Sequence, residues 1–200
     1  MKELSLNILD ITENSTKAKA ELVLIDISES EDRLCIRITD NGTGMNEETL
    51  LSVANPFYTT RTTRKVGMGI PLFRFAAEQT GGNLTISSKH IDEHPNDHGT
   101  TVTAIFNKKH IDFTPLGDII STLITLIQGH PDIDFVFTHR RDDALVSLDT
   151  REMREVLEGI PLDTFEVLIW TKDNLTKTVC SLSNHTNPLS ASVILNVPTS

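Results

Sequence analysis

Chemistry concentrates where an aspartate meets two spaced glycines: Asp40, Gly42 and Gly44 in the run DNGTGM. The aspartate ends an alternating stretch, with Leu34, Ile36 and Ile38 on one side and Arg33, Cys35 and Arg37 on the other. It therefore sits at the mouth of a half-buried strand. The glycines mark a backbone that turns sharply or lets something approach closely. A second pair, Gly67 and Gly69, stands just before an apolar helical stretch, and Arg61, Arg64 and Lys65 precede it. An acid at a strand end, two glycine turns and a basic loop suit a purine nucleotide. The carboxylate accepts from the base's amino group, while the loop and the following helix N-terminus hold phosphates.

Order and spacing together resemble the ATP-binding domain shared by gyrase, the large heat-shock chaperones, histidine kinases and MutL, the GHKL superfamily. The match is nearest to histidine-kinase-like ATPase domains. In that resemblance DNGTGM is the first glycine box, which puts Asp40, Gly42, Gly44 and Met45 at the nucleotide. NPFYTT is the phenylalanine box, contributing Phe57 and Thr60. VGMGIPL is the second glycine box, contributing Gly67, Met68 and Gly69, and GTTVTAIF is the closing strand with Thr100. The implied fold is α+β, a two-layer sandwich of the Bergerat type, and the implied cofactors are ATP and Mg2+. The strands that usually precede the asparagine box are lacking, which implies a smaller sheet.

Residues 3–18 read as a helix with two faces. Leu4, Ile8, Ile11 and Ala18 share one side. Asp10, Asn14 and Lys17 line up on the other, which by itself fits a solvated face as well as a site. LDITENSTKA resembles the family's asparagine box, with ENS nearest to the MutL form. The resemblance makes Asn14 the magnesium ligand, a hard oxygen for a hard cation, and Lys17 a partner of the phosphates. It puts Asp10 where gyrase and MutL carry a general-base glutamate, though one methylene shorter. A carboxylate there is required only for a water or hydroxyl nucleophile. Glu13 points to the helix flank.

The other elements must position these groups. ELVLIDIS and RLCIRITD form a hairpin; Asn46 caps a short helix through Val53, which Asn55-Pro56 ends. Phe57 plugs the site's rim or is plain core. Thr59 to Val66, with Arg64 and Lys65, is a lid over the nucleotide or a solvated loop. Ile70 to Gln79 is a helix stopped by Gly81-Gly82, and NLTISS and GTTVTAIF are two further strands. His90, His94 and His98 are spaced by four, but Pro95 lies among them, so a hydrophilic hairpin loop fits better than a metal face.

Residues 1–109 are thus expected as the ATP-binding domain, 110–183 as a small α+β module and 184–200 as a loose tail. Thr114-Pro115 reads as the start of a helix to Gln128. IDFVFTH and ALVSLD read as strands, and Asp149 with Glu152 as a capping pair for a helix through Leu157. FEVLIW fits a helix or a strand. HIDFTPL at 110–116 resembles the phosphoacceptor box of histidine kinases, but it follows the domain instead of preceding it, and its acid is Asp112.

Composition bounds the function. A net charge of −10 with no basic run argues against nucleic acid. Cys35 and Cys180 are too few and too distant for a disulfide framework. The polar N-terminus does not read as a signal peptide, and Ile119 to Ile127 is too short to span a bilayer, so the expected location is cytoplasmic. Asn-x-Ser/Thr tripeptides begin at Asn14, Asn41, Asn83, Asn174 and Asn184; two lie inside the expected site, so none is read as glycosylated. The expected function is transfer of the ATP γ-phosphate to a partner protein carrying the acceptor, with a homodimer compatible. An ATP-hydrolysing switch and a nucleotide sensor without turnover are the alternatives.

Overall fold

The computed structural model describes residues 3–54, 68–183 and 191–192. Its elements run α1 (Leu4–Lys17), β1 (Leu22–Glu29), β2 (Arg33–Asp40), α2 (Glu47–Ala54), α3 (Gly69–Gln79), β3 (Asn83–Lys89), β4 (Gly99–Asn107), α4 (Ile119–Gly129), β5 (Asp134–Arg141), β6 (Ala144–Asp149), α5 (Thr150–Leu157), α6 (Phe165–Ser183) and β7 (Ala191–Ser192). The result is an α+β sandwich, as the sequence motifs imply. One mixed sheet has the order β3-β4-β2-β1-β5-β6-β7.

Strand alternation builds the core. Val23, Ile25 and Ile27 of β1 are buried with Leu34, Ile36 and Ile38 of β2, Val102, Ala104 and Phe106 of β4, and Phe135 and Phe137 of β5. Leu4, Ile8 and Ile11 of α1, Phe73 and Ala77 of α3, and Leu123 and Leu126 of α4 belong to the same cluster. In the helical layer α1 lies between α3 and α4, and α4 also packs on α6. The opposite side of the strands is mixed, with Leu24, Ile105 and Val136 half-buried among polar residues. Thr85, Thr103, Arg37, Asp26 and Thr138 form one row across β3, β4, β2, β1 and β5, none of them buried.

The sheet is not the smaller one expected. β5 pairs parallel with β1 from Leu22–Asp134 to Glu29–Arg141. Residues from the C-terminal half thus occupy the β1 edge, whose backbone groups would otherwise stand open. At the far end of this seam Glu29 accepts from Lys108 Nζ at 2.7 Å and meets His139 Nε2 at 3.1 Å. The His139 hydrogen bond, with help from Lys108 and against burial, lowers the Glu29 carboxyl to about 2.

Residues 114–118 also differ from expectation, because α4 begins at Ile119 and not at Thr114-Pro115. Asp118 is its N-cap, accepting from Ser121 N at 2.9 Å. The segment before it has another task. The Pro115 and Leu116 carbonyls accept from Leu4 N and Ser5 N, at 3.0 and 2.8 Å. They satisfy first-turn donors of α1, whose own N-cap Glu3 offers no side-chain cap. A helical 114–118 would commit its backbone to α4 and leave α1 uncapped. FEVLIW is helix, within α6. Within the C-terminal tail, Ala191 and Ser192 pair parallel with Val146 and Ser147.

Candidate functional site

The polar side of α1 faces out. Asp10 and Lys17 are exposed and Asn14 is half-buried. None of the three side chains has a partner among the described residues. A carboxylate, a carboxamide and an ammonium therefore stand free along two turns. α3 starts directly against this face: a Cβ on Gly69 would come within 3.1 Å of the Asp10 Cβ. Met68, the residue before it, is 71% exposed. Among the described residues no side chain caps α3, so the Gly69 and Ile70 N–H groups are left for other acceptors, Pro71 having none and Leu72 N donating to Met68 O.

Ser15, next to Asn14 but turned toward the sheet, ties α1 to the aspartate. Its hydroxyl donates to Asp40 Oδ2 at 2.7 Å. Asp40 Oδ1 accepts from Gly42 N at 3.0 Å and Thr100 N at 3.2 Å. A carboxylate offers about four acceptor positions. Three are filled, and the one left on Oδ2 suits a further N–H donor such as a base amino group.

Glycine is required in the turn that follows. A Cβ on Gly42 would lie 2.7 Å from the Ala18 carbonyl oxygen. Gly44 has φ +68°, and a Cβ there would lie 2.0 Å from the Lys89 carbonyl oxygen. Thr43 N donates to Ala18 O at 2.8 Å, and Met45 N to Ser88 Oγ at 2.8 Å. The Thr100 hydroxyl is shared with Ser88 at 2.8 Å. The structure thus brings Asp40, Gly42, Gly44, Met45 and Thr100 together at one end of the sheet. Ser15 links them to the helix of Asp10, Asn14 and Lys17, while Gly69 borders that helix and Met68 stands exposed just before Gly69. Phe57, Thr60, Arg64, Lys65 and Gly67 lie outside the described residues, as does the expected lid.

Other expected groups have other occupations. Glu13 meets His130 Nε2 at 2.9 Å, across to the end of α4. His110 lies in a bend, not on a helix, where its Nδ1 accepts from Asp112 N at 3.2 Å. The same His-Ile-Asp tripeptide occurs at 90–92, where Asp92 N donates to His90 Nδ1 at 3.3 Å. This tripeptide is a local turn in both places. Among the described residues no group of three or more His, Cys, Asp or Glu is arranged to hold a metal ion.

Sequence reasoning passed over Ser15 and Ser88, and it read His98 only as part of a hydrophilic hairpin loop. Ser15 carried a signal: a polar residue four after Ile11, on the apolar side, must find a buried partner. Ser88 and His98 act across a hairpin, and no local pattern marks them.

A family model described as histidine kinase-, DNA gyrase B-, and HSP90-like ATPase matches residues 1–110. The chain belongs to this ATPase family. Its nucleotide-binding domain is the part of the molecule that carries the arrangement above. No curated protein matches the chain. Among solved structures, the Aquifex aeolicus MutL ATPase domain complexed with ADP aligns at 17% identity and a TM-score of 0.45, over 68% of this chain and 60% of that one. The N-terminal domain of a DNA repair protein aligns at 15% and 0.47, over 71% and 50%. A K252N mutant of the Aquifex aeolicus MutL ATPase domain aligns at 14% and 0.44, over 70% and 58%. The chain spans about half to three fifths of these structures. Among the described residues no helix is long and apolar enough to cross a membrane.

Proposed function

We propose that this ATPase-family domain binds ATP with magnesium and transfers the γ-phosphoryl group to an oxygen nucleophile, a hydroxyl on a partner protein. One observation carries the reading: Asp10, Asn14 and Lys17 stand free along α1 beside the start of α3, and Ser15 fixes the same helix to Asp40. Asp40 would accept from the adenine amino group through the open position on Oδ2. Asn14 would hold magnesium through its amide oxygen, and the ion supplies neutralising charge for the phosphates. Lys17 would add a cation on the same side. Asp10, exposed and one turn before Asn14, would take the proton from the attacking hydroxyl.

A second reading, an ATP-hydrolysing switch, is favoured by the way α1 is held. Pro115, Leu116 and His130 all bond to the helix that carries Asp10 and Asn14. Any displacement of α1 during turnover is therefore passed to residues 113–130. Incubating the full chain with γ-labelled ATP, magnesium and an extract fraction as acceptor source separates the readings. Label on protein supports transfer, and free phosphate alone supports the switch. Absence of both, with ADP still bound, overturns both in favour of a nucleotide sensor.

A further inference from the structure

We propose that His98 is a positioning residue for the nucleotide turn, a role that rests on the nucleotide reading of Asp40. The loop between β3 and β4 looked like solvated connection, yet it is docked on the glycine turn. Ile91 N donates to Thr43 O at 2.9 Å, and Ser88 Oγ accepts from Met45 N. His98 Nδ1 lies 2.6 Å from the Gly42 carbonyl oxygen. A carbonyl only accepts, so Nδ1 carries the proton in this contact. Both the imidazolium and one neutral tautomer provide it.

The position of this bond gives it its importance. Gly42 is gripped at its N–H by Asp40 Oδ1 and at its C=O by His98. The missing Cβ lets Ala18 close in from the third side. Ser88 and Ile91 restrain Met45 and Thr43, farther along the turn. His98 is the side chain that fixes the Gly42 carbonyl, two residues from the carboxylate proposed to read the base. Gly42 N and Thr100 N share Asp40 Oδ1, so a Gly42 that swings away loosens one of the bonds that aim the carboxylate. The His98 ring thus acts on nucleotide affinity through the Gly42 peptide, without touching the nucleotide.

The test uses the full chain as wild type, His98→Ala, His98→Asn and His98→Gln. Two quantities are read: ADP affinity by calorimetry, and hydrogen exchange at the Gly42, Thr43 and Met45 amides. Loss of one short hydrogen bond should weaken ADP binding by about tenfold in His98→Ala and speed exchange at the turn by a similar factor. His98→Asn should restore both to within about twofold, since its Nδ2–H takes the place of the ring Nδ1–H. His98→Gln, with its donor one methylene farther out, should restore neither. A merely bulky loop residue would not distinguish Asn from Gln. Equal affinity and exchange in wild type and His98→Ala overturn the proposal, as does equal rescue by Asn and Gln. If wild type takes no ADP, the nucleotide reading falls, and the exchange comparison alone decides whether His98 holds the turn.

Discussion

Asp40→Asn separates recognition from folding. The two amide donors that converge on Oδ1, from Gly42 and Thr100, select the oxygen of the new carboxamide for that position. The NH2 group then stands where Oδ2 was. Ser15, which now donates to Oδ2 at 2.7 Å, can rotate its hydroxyl and accept from that NH2 instead. Every protein bond therefore has a replacement, and stability should change by no more than about 1 kcal/mol. An incoming adenine amino group has no such recourse, because it meets a donor where it needs an acceptor. The lost charge-assisted bond and an unpaired donor together cost about 2–4 kcal/mol, or roughly 30- to 1000-fold in affinity. Calorimetric titration with ADP, alongside thermal unfolding, measures both effects. ADP binding at wild-type affinity would refute the placement of the base at Asp40. A variant that fails to fold would refute the rotation argued for Ser15.

Asn14→Ala should leave metal-free ADP binding unchanged while removing the magnesium enhancement of triphosphate binding, and equal enhancement in both proteins returns Asn14 to a solvated face. Asp10→Asn should lower turnover on the order of a hundredfold with ATP affinity little changed, and wild-type turnover in the variant excludes Asp10 as the base. Glu29, lowered to about 2 from 4.5, contributes stability that is complete above 4.5 and lost as pH falls toward 2. That contribution is about 3 kcal/mol at neutral pH, with little screening because the side chain is only 15% exposed. Urea midpoints measured from pH 6 to 2 should therefore fall more steeply in wild type than in Glu29→Gln, and parallel curves would show that the contacts with His139 and Lys108 do not set the acid response.

Much of the site was legible because its constraints are local. A strand ending in Asp40, a turn with a positive φ at Gly44, and caps at Asn46 and Asp149 are each settled within a few residues, whereas the close approaches that exclude a side chain at Gly42 and Gly44 come from Ala18 and Lys89. Thr49 N does bond to Asn46 Oδ1, and Arg151 N to Asp149 Oδ1. Thr114-Pro115 satisfied the same local rule and was misleading, since the carbonyls of that stretch are claimed by α1, more than a hundred residues earlier in the chain. The partner of β1 was hidden for a like reason. Alternation marks 134–141 as a strand but does not say which edge it joins. Ser15 and His98 are illegible in the same way, each defined by a partner 25 or 56 positions distant in sequence.

Several of these long-range bonds involve α1, and that bears on how far the nucleotide site can be considered apart from residues 110–183. The helix presents its free polar groups outward, gives Ser15 to Asp40, and lies with α3 on one flank and α4 on the other. Its first amides are satisfied by Pro115 and Leu116, Glu3 accepts from Asp118 N at 3.1 Å, and Glu13 meets His130. Gly117 has φ +78°, and a Cβ there would lie 2.2 Å from Glu3 Oε2, so the linker can hold this position only with glycine. The segment after β4 therefore works as the N-terminal cap and outer brace of the helix that carries Asp10 and Asn14. The family match ends at residue 110, where this brace begins. Beside β1, β5 and β6 extend the same sheet and bury Phe135, Phe137 and Val146 in the common core. A site whose principal helix is capped from outside the matched region inherits its geometry from both halves. On that ground the C-terminal half is part of what positions Asp10, Asn14 and Lys17.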